Sequence, residues 1–181
     1  MLNLKELIIS KKRTWDNIDT FSIKTQYQWV QVLRNNVNDI SHLPTCLETF
    51  CRDHPERAHI YGVCINACCP DFRVISAGEG AALVKRTKRL RDLIMAFLGE
   101  PNSHHFNINC KILLGLNSKE MYYYKFLDFL NTIQSIKDAR LKPTIIHFKH
   151  AKQSSKSDPH WELLQTHIIK LDKLRHSSYS T

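Results

Sequence analysis

Two sets of side chains in this sequence are of types that could do chemistry. The first is cationic: Lys85, Arg86, Lys88, Arg89 and Arg91 crowd into the run AALVKRTKRLRDL. Guanidinium and ammonium groups hold phosphate oxygens and displace counterions from a polyanion, which gives affinity without base sequence. The second set is Cys46, Cys51, His59 and Cys64, with His54, Cys68, Cys69, His104, His105 and Cys110 around it. Thiolate and imidazole are zinc ligands. Cys46/Cys51/His59/Cys64 and Cys64/Cys68/His104/Cys110 are the two sets that could close a four-coordinate site. Neither contains a CxxC pair or finger spacing. Cys46, Cys51 and Cys110 also fall on apolar faces, where a thiol behaves as a small hydrophobe. The expectation is therefore no cofactor, with structural zinc at Cys46, Cys51, His59 and Cys64 as the alternative.

Covalent catalysis needs a nucleophile with a base in hydrogen-bond reach. Cys51, Asp53 and His54 are close along the chain, but adjacency in sequence does not supply that geometry. Nothing matches GxSxG, HExxH or a paired metal carboxylate site. The turn Ser76-Ala77-Gly78-Glu79-Gly80 has neither GxGxxG nor GxxxxGK[ST] and reads as a tight turn feeding a helix. A non-enzymatic protein is expected.

The element that must position the cations is residues 78–98, which read as one basic amphipathic helix. Leu83, Val84, Leu90, Ile94, Phe97 and Leu98 recur near its period and predict a buried side. The competing reading of the charges is a solvated face over a core helix. Trp15, Trp29 and Tyr61 are the aromatics that could stack on bases beside them. Arg140, Lys142, Lys149 and Lys152 would extend the positive surface if they lie next to it.

Elsewhere the pattern predicts helices over 2–12, 25–39 and 42–54, the last started by Pro44. Residues 57–67 and 72–76 read as strands joined at Cys68-Cys69-Pro70-Asp71 into a hairpin. Strands follow over 106–114 and 144–150. A helix over 119–137, capped by Ser118, carries an aromatic cluster from Met121 to Phe126 that could form part of a partner face. Asp158 and Pro159 open a last helix. The sum is an α+β fold: one domain over 1–176 with about five helices and a small, mainly antiparallel sheet, then a flexible tail at 177–181.

Composition narrows the partner. The 181 residues carry a net charge of +9 with 43% hydrophobic and 24% charged residues, so a core and an anionic partner are both expected. No apolar run of about 18 residues predicts a membrane span. The N-terminus does not read as a secretion leader, so the six cysteines are expected as thiols. The expected location is the cytoplasm and, through the import-like run KRTKRLR, the nucleus. These readings converge on a nucleic-acid-binding protein. RNA is preferred over DNA because no helix–turn–helix or finger singles out duplex DNA. The alternative is a self-associating structural or matrix-type adaptor of viral character, a homo-oligomer set against an anionic membrane or a nucleocapsid.

Overall fold

The computed structural model describes residues 28–33, 36–55, 60–122 and 125–163. Their order is β1 (Gln28–Val32), α1 (Val37–Asp53), β2 (Ile60–Ala67), α2 (Phe72–Ser76), a 3-10 helix over Gly80–Lys85 and α3 (Thr87–Leu98). A second 3-10 helix (Pro101–His105), β3 (Asn107–Leu113), α4 (Ser118–Tyr122), α5 (Lys125–Gln134) and β4 (Ile145–His147) complete it. The expected helix at 2–12, Trp15, the inner face of the last helix and the tail lie outside the described residues.

The four strands form one sheet in the order β1-β2-β3-β4, and every neighbouring pair is parallel. This overturns the mainly antiparallel sheet expected from the sequence and makes the fold a mixed α/β one. Two physical causes account for it. Residues 72–76 are a helix, not the return strand of a hairpin: Asp71 caps it by accepting the Arg73 amide at 2.8 Å. Parallel neighbours then need long crossovers, and helices fill all three of them. The near-continuous burial of β2 suits such a strand, covered on both faces.

Other boundaries shift for local reasons. Residues 28–32, expected as helix, form β1; the helix starts at Val37, where Asn36 caps it by accepting from the Asn38 amide at 2.9 Å. Pro44 lies buried inside α1 rather than at its start. Asn117, not Ser118, caps α4, its Oδ1 accepting from the Glu120 amide at 3.0 Å.

Strand alternation gives the sheet two different faces. Val30, Val32, Val63, Ile65, Ala67, Ile108, Cys110 and Ile112 join the core with Leu43 and Leu47 of α1, Leu90 and Phe97 of α3 and Phe126 and Phe129 of α5. The contacts α1–α3 and α3–α5 place these helices in one layer on that face. On the other face stand Gln31, Cys64, Asn66, Asn109 and Lys111, in register across β1–β3.

Candidate nucleic-acid interface

Residues 78–98 are not one helix. Gly78 ends α2 with φ 77° in a Schellman arrangement, the Glu79 amide donating to Val74 O and the Gly78 amide to Ile75 O. The 3-10 helix that follows is buried from Gly80 to Val84. Arg86 breaks the path with φ −114° and ψ 54°, and α3 begins at Thr87. The apolar positions named from the sequence are nonetheless all buried: Leu83, Val84, Leu90, Ile94, Phe97 and Leu98. Burial survives the break because two helical segments in series can each turn their apolar side to the same core.

The break also decides where the cations stand. The chain leaves β2 at the carboxyl edge of the sheet and must enter the parallel β3 at the amino edge, so α3 runs back between them. Its first turn therefore lies at the carboxyl edge. Lys85 confirms this placement by pairing with Glu120, which follows β3. In open α/β sheets ligands bind at the carboxyl ends of the strands where the strand order reverses, and the order β1-β2-β3-β4 has no such reversal among the described residues.

Lys85, Arg86, Lys88, Arg89 and Arg91 are all exposed. Lys85 is engaged by Glu120, and Lys88 by Asp92 at 3.1 Å one turn on. Burial pushes the Glu120 carboxyl up, but hydrogen bonds from Lys85 and the Leu116 amide outweigh it and hold the group below its ordinary value. Arg86 and Arg91 make no ion pair with a described residue. No acidic residue occupies the first turn of α3, and no side chain caps it. Cations at the positive end of a helix dipole are locally unfavourable.

The other lysines and arginines divide. Arg140 is committed to Asp138, Ser103 Oγ and Leu98 O, at the opposite end of α3. Lys142 donates to Ala139 O, and Lys149 is buried with Nζ on Ser155 O at 2.8 Å. Lys152 is exposed on the carboxyl edge, where its amide donates to Leu116 O. Lys119, at the start of α4, is exposed on the same edge. Trp29 and Tyr61 meet edge-to-face at 5.3 Å, near the starts of β1 and β2, so they occupy the edge away from Arg86.

Neither expected zinc set is brought together. Cys46 and Cys51 pack from α1 against the core, Cys64 lies on the opposite sheet face, and His59 lies outside the described residues. In the second set Cys110 points into the core while Cys64, on the neighbouring strand, points away from it, and His104 lies in the 3-10 helix before β3. Among the described residues no group of three or more metal-ligating side chains stands together. Burial pushes the thiols of Cys46, Cys51, Cys64 and Cys68 up, and that of Cys110 to about 12. Asp53, read beside Cys51, instead meets Arg52 at 3.4 Å.

Two residues at this edge were not singled out as site residues in the sequence. Asn66 Oδ1 accepts from both the Cys68 and Cys69 amides at 3.0 Å and folds the loop after β2. Phe72, read as the first residue of a strand, is 80% exposed. Asn before a Cys-Cys-Pro-Asp turn was the available signal for the first; Asp71 as a helix cap was the signal for the second. No family model matches the chain, and no curated protein is significantly similar to it. No helix among the described residues is long and apolar enough to cross a membrane.

Proposed function

We propose that this protein binds nucleic acid, RNA in preference to DNA, through the carboxyl edge of its sheet, without catalysing a reaction on it. One observation carries the reading: exposed Arg86 leads into α3 and exposed Arg91 follows just past its first turn, which holds no acid, and neither makes an ion pair with a described residue. An external anion bound there would offset the dipole's penalty on Arg86. Lys119 and Lys152 widen the same edge, and Lys88 and Arg89 flank it. The net charge of +9 supplies the long-range attraction. Cytoplasmic and nuclear placement goes with this reading.

The matrix-type alternative at an anionic membrane has less support. Leu90, Leu93, Ile94, Phe97 and Leu98, the apolar side of α3, are buried in the core and cannot enter a lipid interface. The test is anisotropy binding of the full chain to single-stranded RNA, single-stranded DNA, duplex DNA and anionic vesicles at two salt concentrations. RNA should bind most tightly and weaken with salt, and Arg86→Gln with Arg91→Gln should lower the salt slope by about 0.7 per contact. RNA affinity indifferent to salt and to both substitutions would overturn the proposal.

A further inference from the structure

We infer that Phe72 is a stacking platform for a base of single-stranded RNA; the inference rests on the nucleic-acid reading above and names the strandedness of its partner.

The ring is 80% exposed, the most exposed large apolar side chain among the described residues. Folding gains almost nothing from it, and α2 has no buried residue at all. Yet the segment that carries it is tightly fixed. Asp71 caps the helix, and its carboxylate holds the Arg73 guanidinium through Nε at 3.2 Å and Nη2 at 3.0 Å. The far end closes on Gly78. The Ala81 amide donates to Cys69 O, which ties the loop before α2 to the 3-10 helix after it. Gly80 lets the two pieces close up: with φ +56°, a Cβ there would come within 2.7 Å of Val74 Cγ1 and 2.8 Å of Cys69 O. An exposed aromatic on a rigid mount loses little freedom when a flat ligand covers it.

Its neighbours select the ligand. α2 packs on the 3-10 helix whose far end carries Lys85 and, next, Arg86. The ring and the cations thus belong to two short helices packed against each other. A ligand that offers a flat π-face together with phosphates is a short stretch of unpaired nucleotides. In a duplex the bases are stacked inside and their faces are closed to a side chain. A lipid surface would meet a single ring without the apolar side of α3, which is buried. Two of the other exposed aromatics fit less well: Trp29 is set against Tyr61 at the other edge, and Trp161 packs on Phe148 at 5.4 Å.

The experiment compares wild type, Phe72→Ala and Phe72→Trp as full chains, binding labelled oligouridylate, a duplex RNA and inorganic polyphosphate. The loss of one stacked base weakens oligouridylate about tenfold in Phe72→Ala, within the range alanine substitutions of stacking aromatics give. Phe72→Trp retains or gains affinity. Polyphosphate and duplex RNA bind all three proteins alike, and the Phe72 ring protons move upfield when oligouridylate is added. Equal oligouridylate affinity in wild type and Phe72→Ala overturns the platform but leaves the cationic reading standing. An equal loss for polyphosphate overturns it too, because the ring would then act only on the shape of the edge. Wild-type protein that binds none of the three anions overturns the nucleic-acid reading itself, before any variant is made.

Discussion

Arg86 and Arg140 stand at opposite ends of the same helix, and the two could hardly be used more differently. Arg140 lies at the carboxyl end of α3, where the dipole welcomes a cation. It donates to Leu98 O at 3.0 Å and to Ser103 Oγ, while Asp138 grips it from behind. That pairing holds Asp138 below its ordinary value and Arg140 above. Its side chain is only 28% exposed. Arg86 lies at the amino end, exposed and without a described acidic partner. One arginine completes the fold, and the other makes no ion pair with a described residue. Charge alone does not distinguish them; the end of the helix and the number of filled donors do.

Substitutions should widen this contrast. Removing Arg140 has the largest expected effect on stability. Arg140→Ala strips hydrogen bonds from Leu98 O and Ser103 and leaves Asp138 unpaired, at about 3 kcal/mol. A urea midpoint measures it, and the folded variant should still bind RNA with wild-type salt dependence. A loss of RNA affinity in proportion to that of Arg86→Gln would erase the distinction between the two ends. Gly80→Ala comes next. A methyl group at φ +56° meets Val74 and Cys69 O, so a loss of about 2 kcal/mol is expected, with the carboxyl edge disturbed and the Arg140 end intact. Amide shifts confined to 66–86 would show it.

Acid gives a smaller, sharper test. The Arg73 hydrogen bonds hold the Asp71 carboxyl down to about 2, against about 3.9 in an unfolded chain. A depressed carboxylate contributes stability above its unfolded value and loses it as pH falls toward the folded one. The α2 cap should therefore persist at pH 4 and loosen only near pH 2, read from the Asp71 side-chain carbon shift. A midpoint near 4 would mean the Arg73 clamp is not made. Last, Arg86→Gln should change stability by no more than about 0.5 kcal/mol, in the stabilising direction, because it removes a cation from the positive helix end. A destabilisation like that of Arg140→Ala would show that Arg86 has a structural partner after all.

Parts of the site were readable in the chain and parts were not, for different reasons. The cations were readable because charged side chains stay at the surface unless paired. Their engagement was not: Lys85 meets Glu120 across the loop after β3, while only Lys88–Asp92 follows helical spacing. Phe72 was misread because FRVIS is rich in the aromatic and β-branched residues that favour strands, and five residues are too short a window for period to decide. The cysteine sets were assembled by proximity in sequence, and the two faces of the sheet separate them.

By itself, the sequence determined all but one, Leu93, of the residues of 83–98 that enter the core, since an apolar side chain at helical spacing has one favourable place to go. It also determined the sign of the molecule's field. Only the tertiary structure decided that the strands run parallel, and with that the end of the sheet to which Arg86 belongs. Strand direction depends on hydrogen bonding between segments far apart in the chain, and no local period encodes it. Once the direction is set, the crossover carries the first turn of α3 to the carboxyl edge and its last turn to Arg140.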